Sequence, residues 1–251
     1  MMKRSLIGVV VVALALIGTG CDSKVTLEAP TGVATTAIND GGTLHLSWEA
    51  VEGAESYEIK ADDSTYAATS TSIDISVPAA TIEIRAVKGT TKGDSAVVSI
   101  KLVETTVEFY GDLDTLHFNG FGFGEDGSAT GYTMHYTQSP NLDFYAQGTQ
   151  AAMKLTSAAT INLEKKGNGA KAAAVGYDEA VIADLPGAYA DSSLAITAGT
   201  AYYLRMSADT TGTWSTGDHF AKANVVAIGD SAKVTLKLGY QAKDGLRWLI
   251  K

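Results

Sequence analysis

The chain has 251 residues, 45% of them apolar, which is enough for about two small domains or one large β domain and excludes a disordered protein. Lys and Arg number 19 against 28 Asp and Glu, a net charge of −9, and this acidity argues against a phosphate-binding surface and so against DNA and RNA as partners. The one cysteine, Cys21, permits neither an intramolecular disulfide nor a Cys-based zinc or iron–sulfur site.

In chain order, Met1-Met2-Lys3-Arg4 is a cationic start to the apolar run from Leu6 to Ile17. Twelve residues fall short of the roughly 18–20 that cross a bilayer. The run therefore reads as the h-region of a signal peptide over residues 1–20. Gly18-Thr19-Gly20-Cys21 resembles the lipobox of bacterial lipoproteins, although that family usually places Leu where this sequence has Gly18. The resemblance implies cleavage before Cys21, lipidation of its thiol, and the membrane as a partner through that lipid. The expected place is the cell envelope, at the outer membrane or cell surface rather than the inner membrane. Loss of residues 1–20 leaves 17 basic against 28 acidic residues, a charge of −11. Residues 21–28 are then a lipidated Cys and a short tether, at most ~27 Å long at ~3.3 Å per residue.

From about residue 29 to 103 short apolar strands alternate with turn residues every eight to twelve positions, as in an all-β sandwich. Leu44, Leu46 and Trp48 share one strand face, with His45 on the outward one; Tyr57 and Ile59, then Ile73 and Ile75, repeat the pattern. Thr81–Val87 continues it, and Gly93-Asp94-Ser95 is expected to turn into Ala96–Leu102. Ala29-Pro30-Thr31-Gly32-Val33, Leu44–Ala54, Ser56-Tyr57-Glu58-Ile59 and Ile84-Arg85-Ala86-Val87, in this order, resemble a fibronectin type III domain. That family usually carries a Tyr near Ile82 whose hydroxyl ties the strand to a neighbouring turn, and none is present. There is also no Arg-Gly-Asp tripeptide.

Residues 104–251 read as a second all-β domain, an antiparallel β-sandwich or β-roll of eight or more strands. Val234, Leu236, Leu238 and Tyr240 alternate with Lys233, Thr235, Lys237 and Gly239; Tyr132, Met134 and Tyr136 make a shorter version. Thr200–Met206 and Phe220–Ile228 supply further strands. Ala170–Leu185 is open between helix and strand, with Gly176 interrupting it and Pro186 ending it. Gly120-Phe121-Gly122-Phe123, Asn141-Leu142-Asp143-Phe144, Gly199–Arg205, His219-Phe220-Ala221-Lys222 and Gly239-Tyr240-Gln241 resemble, in order, the β domain of HmuY-like surface lipoproteins, some of which bind haem. This chain departs from that group by long inserts, including Ala208–Asp218.

Catalytic signals are sparse. Gly122-Phe123-Gly124-Glu125-Asp126-Gly127 fits Gly-x-Gly-x-x-Gly, but no helix pattern follows and two acids sit where a phosphate needs bare amides, so it reads as a turn. There is no Gly-x-Ser-x-Gly elbow and no His-Glu-x-x-His. Asp112 and Asp114 share a strand face and are a calcium candidate, though they lack the oxygen-rich loop of a built calcium site. His135 and His219 are the pair expected to converge if the second domain holds haem or a metal.

Seventeen of the twenty aromatic residues lie beyond residue 103. Adjacent ring pairs point to opposite strand faces, so Tyr145 and Tyr203 are candidates for ligand-facing rings, and Trp214 is the leading one because a loop offers little core for an indole. The sequence thus leads to a non-catalytic binding or adhesion module without a cofactor, taking a glycan, protein or haem ligand on its second domain. Haem or metal capture, a polysaccharide-active accessory factor and a structural envelope protein stand as alternatives.

Overall fold

The structure is a computed structural model that describes residues 26–111, 117–133, 141–161, 168–185, 187, 189, 193–207 and 213–251. It is all-β. Cys21, Asp112, Asp114, His135, Met134 and Tyr136 lie outside the described residues. Among the described residues no helix is long and apolar enough to cross a membrane.

The first sandwich holds strands β1 (Ala34–Ile38), β2 (Thr43–Ser47), β3 (Ser56–Ala61), β4 (Ser64–Ala68), β5 (Ser72–Ile75), β6 (Thr81–Lys88) and β7 (Thr91–Ser99). They form a three-stranded sheet, β1-β2-β5, and a four-stranded sheet, β4-β3-β6-β7. Alternation puts Leu44, Leu46 and Ile75 of one sheet against Ile59, Ile82 and Ile84 of the other in a single core. Trp48 is buried with its ring edge-on to Tyr57 at 5.1 Å. His45 faces outward and bonds Asp74 across the β2–β5 pair at 2.6 Å. The two carboxylate oxygens of Asp62, in the turn between β3 and β4, accept the N–H groups of Ala80 (2.8 Å) and Thr81 (2.9 Å) at the start of β6.

One expected turn is corrected. Gly93-Asp94-Ser95 lies inside β7, at a bulge opposite Arg85–Val87, and the chain reverses earlier at Gly89. The segment before β1 crosses at that bulge, and a Cβ on Gly93 would lie 2.6 Å from the Leu27 carbonyl oxygen.

The second sandwich is built from β8 (Val103–Tyr110), β9 (Gly120–Phe123), β10 (Ala129–Tyr132), β11 (Phe144–Gln147), β12 (Lys154–Ser157), β13 (Gly169–Ala172), β14 (Ser193–Ala195), β15 (Ala201–Met206), β16 (His219–Ile228) and β17 (Lys233–Gln241). Two five-stranded antiparallel sheets, β10-β9-β11-β12-β14 and β13-β15-β16-β17-β8, face each other. Phe121, Phe144 and Leu155 from one sheet meet Phe109, Leu204, Leu236 and Leu238 from the other. The open segment 170–185 resolves into β13 followed by a non-helical cover, with a single turn in which Ala180 N–H bonds the Gly176 carbonyl. That cover lies on the outer face of the β15 sheet, where Ala180, Ala183 and Tyr189 pack with Tyr203, Phe220 and Leu249.

The two sandwiches are joined by a built seam. Leu246 and Trp248, both fully buried, belong to the core of the first sandwich although they follow the last strand of the second. Arg247 N–H bonds the Gly41 carbonyl (3.0 Å), Arg247 Nε the Asp40 carbonyl (2.6 Å) and Trp248 Nε1 the Gly42 carbonyl (3.2 Å). On the other side, Ala183 N–H bonds the Arg247 carbonyl and Leu249 N–H the Val181 carbonyl, both at 2.8 Å. Gly41 is required here, because its φ is +74° and a Cβ would lie 2.1 Å from the Gly245 oxygen.

Candidate functional site

At one end of the second sandwich a chain of buried polar groups bonds the two sheets together. Asp143, just before β11, accepts Phe123 N–H on Oδ2 (2.9 Å) and the Asn168 amide on Oδ1 (3.2 Å). Asn168, just before β13, accepts Ser207 N–H on its own oxygen (2.9 Å). Asp143 and Asn168 are both buried, so these bonds offset the cost of removing their polar atoms from water.

Beside them Arg205 and Asp218 form a buried ion pair. The Arg205 Nε and Nη2 atoms lie 3.1 and 2.9 Å from Asp218 Oδ2. Arg205 also reaches the Ser207 hydroxyl and the Thr213 carbonyl, and Asp218 Oδ2 accepts Ser215 N–H at 3.1 Å. With the side chains 2% and 0% exposed, the pair fixes the rim at Ser207 and Thr213–Asp218 and has no charge left to present to a ligand.

Aromatic rings run outward from the core. Phe121 meets Phe123 edge-on at 5.6 Å, Phe123 stacks on Tyr240 at 4.7 Å, and Tyr240 stacks on His219 at 5.3 Å. Burial, reinforced by Asp143 and Asp244, pushes the Tyr240 phenol well above its ordinary value and keeps it neutral. His219 Nε2 lies 3.6 Å from Asp244 Oδ1, while Nδ1 is buried without a hydrogen-bond partner.

These groups enclose a cleft of about 420 Å³ whose walls include Phe123, Glu125, Asp143, Asn168, Ser207, His219 and Tyr240. This volume falls in the ordinary range of small-molecule sites. The described lining contains two carboxylates, amide and hydroxyl groups, and no Lys or Arg.

Of the residues singled out in the sequence, His219 is in the cleft, and His135 lies outside the described residues. His117 stacks on Tyr110, whose β17 partner is Lys233, whereas His219 stacks on Tyr240. The two histidines thus sit at opposite ends of β17, roughly 23 Å apart at ~3.3 Å per residue. Among the described residues no group of three or more His, Cys, Asp or Glu side chains is placed to hold a metal ion.

Tyr145, Tyr203 and Trp214 are not among the described residues that line the cleft. Tyr145 is buried, its hydroxyl 2.8 Å from Thr160 Oγ1, under the chain that follows β12. Tyr203 does point to the face opposite Tyr202, but Ala173, Ala180, Ala183 and Tyr189 pack over that face and leave Tyr203 7% exposed. Trp214 is half-buried and donates its Nε1–H to the Gly245 carbonyl at 2.8 Å, packing against the core that Leu246 and Trp248 share with the first sandwich. It also packs against the cluster of Tyr203, Phe220 and Leu249 in its own sandwich, so both domains supply the indole with core.

Gly124–Ser128 is the hairpin turn between β9 and β10, with Asp126 accepting the Ser128 N–H and hydroxyl. Gly127, at φ +78°, lies where a Cβ would meet Tyr240 Cδ1 at 2.7 Å. The fragments Gly120–Phe123, Asn141–Phe144, Gly199–Arg205, His219–Lys222 and Gly239–Gln241 all contribute residues at or beside the cleft. Asn168 and Ser207 stand in no motif and had no sequence signal. No protein-family model matches the chain, and no curated protein matches it.

Proposed function

We propose that this chain is a non-catalytic binding lipoprotein of the bacterial cell envelope, anchored through lipid on Cys21, whose second sandwich takes a neutral saccharide. The observation that carries the ligand reading is the cleft's composition: an aromatic and imidazole wall of Phe123, Tyr240 and His219 beside the exposed Glu125 and the Ser207 hydroxyl. A sugar ring has apolar C–H faces that suit aromatic walls and hydroxyls that both donate and accept. The exposed Glu125 carboxylate favours a neutral ligand over the anionic propionates of haem. The apolar run and Gly18-Thr19-Gly20-Cys21 support the anchor. The pairing of β1-β2-β5 with β4-β3-β6-β7 supports a fibronectin type III identity for the first sandwich, which lies on the membrane side of the second.

Fractionation tests the anchor: the wild type partitions with membranes, and Cys21→Ala is released or retained uncleaved without lipid. A glycan array tests the ligand. Binding to neutral glycans, weakened about ten-fold in His219→Ala, is expected from the loss of one wall of contact. Failure to bind any neutral glycan overturns the saccharide reading, and a Soret shift on haemin titration that His219→Ala abolishes would put haem in its place.

A further inference from the structure

The cleft is not confined to the second sandwich. A second cavity, of about 250 Å³, is walled by Thr35, Thr36 and Ala37 of β1 and by Thr216, Lys243 and Asp244 of the second sandwich. The two cavities share a partition. Gly217 lines the first and Thr216 the second; His219 lines the first and Asp244 the second, 3.6 Å apart. The His219 and Asp244 side chains are 30% and 68% exposed, so an occupant can lie across them.

The second cavity is polar like the first and adds an ammonium group, Lys243, that the described lining of the first lacks. Thr36, on the exposed face of β1, together with Thr216, Lys243 and Asp244 supplies hydroxyl, ammonium and carboxylate groups that include both donors and acceptors. β1 is the edge of its sheet, so its outer side is not occupied by another strand. The seam also holds this geometry fixed: Trp214 bonds Gly245, Arg247 bonds Asp40 and Gly41, and Trp248 bonds Gly42, all next to the cavity walls. A mere spacer needs a tether and no such lock, whereas a site divided between two domains needs their orientation set in advance.

We infer that the two cavities form one continuous site for a linear saccharide of several units, with the first sandwich contributing a subsite through Thr36. The inference rests on the saccharide reading above. A chain of repeating hydroxyl-bearing units meets donors and acceptors on both sides of the partition, and a single ring fills only the first cavity.

The test is calorimetric titration of the full chain with neutral ladders of one to six glucose (α-1,4 and β-1,4), N-acetylglucosamine or xylose units. Affinity for the bound ladder is expected to climb with length, by about ten-fold or more between the monomer and the longer members, as further hydrogen bonds form. Thr36→Val and Lys243→Ala, both on accessible positions, flatten that climb, whereas Glu125→Ala in the first cavity lowers affinity at every length. If affinity does not depend on length, or if the Thr36 and Lys243 variants leave the climb intact while Glu125→Ala still weakens binding, the continuous site is overturned and the single cleft stands. If no ladder binds, both readings fall.

Discussion

The two sandwiches close their cores in different ways. The second draws its main core from its own ten strands, with aromatic residues layered between two five-stranded sheets. The first, with seven strands, is completed by Leu246 and Trp248, about two hundred positions downstream of the strands they pack on. A small sandwich buries a lower fraction of its surface than a large one, so two fully buried side chains from outside weigh heavily in its balance. Sequence contiguity and core membership are therefore separate properties, and the first domain depends on the second more than the reverse.

The strongest way to break that contrast is Trp248→Ala. Emptying this site is expected to cost about 3–5 kcal/mol. The loss should register by hydrogen exchange in β2, β3 and β6 of the first sandwich; protection lost only in the second would refute the division of cores.

Asp218→Ala is the reciprocal case. It leaves Arg205 buried without its partner, at a cost of about 3 kcal/mol. Urea unfolding followed by exchange should place the damage in β15 and β16, with the first sandwich still protected; equal loss in both would mean that they unfold as one unit.

The smallest effect concerns Lys222, on the covered outer face of β16. Its Nζ bonds the Ala180 carbonyl at 3.1 Å and sits 4.7 Å from the Tyr177 ring centroid. Burial, with repulsion from Lys251 and Lys237, lowers its pKa from 10.5 to about 8, while Asp178 and Glu104 pull the other way. The unfolded chain then holds this proton more tightly than the folded one, so stability rises as pH climbs from about 8 towards 10. Above pH 10 the buried phenols Tyr177, Tyr189 and Tyr240, whose values are raised, oppose the rise because they ionise first in the unfolded chain. Denaturation midpoints between pH 7.5 and 9.5 should climb in the wild type and stay flat in Lys222→Met.

Strands with one buried face were legible in the sequence. Leu44, Leu46 and Trp48, and Val234 to Tyr240, announce themselves by alternation because one face meets a core and the other water. β15 is less plain, since all six of its residues are buried, one face by the core and one by the cover over Tyr203. That cover is also why the outward rings were misassigned: alternation predicts which face a ring takes and is silent on what lies over it. In the cleft, His219 and Tyr240 stood in motif fragments, whereas Asn168 and Ser207 acquire their roles only through contacts 25 and 39 positions away.

The lock at the seam also has a consequence in time. A ribosome delivers the strands of the first sandwich long before residues 246–248, so the nascent first domain waits with an unfilled gap in its interior. Any product broken off within the second sandwich lacks Trp248 and leaves that gap open. The interior of the first domain is therefore complete only once the end of the second is in place.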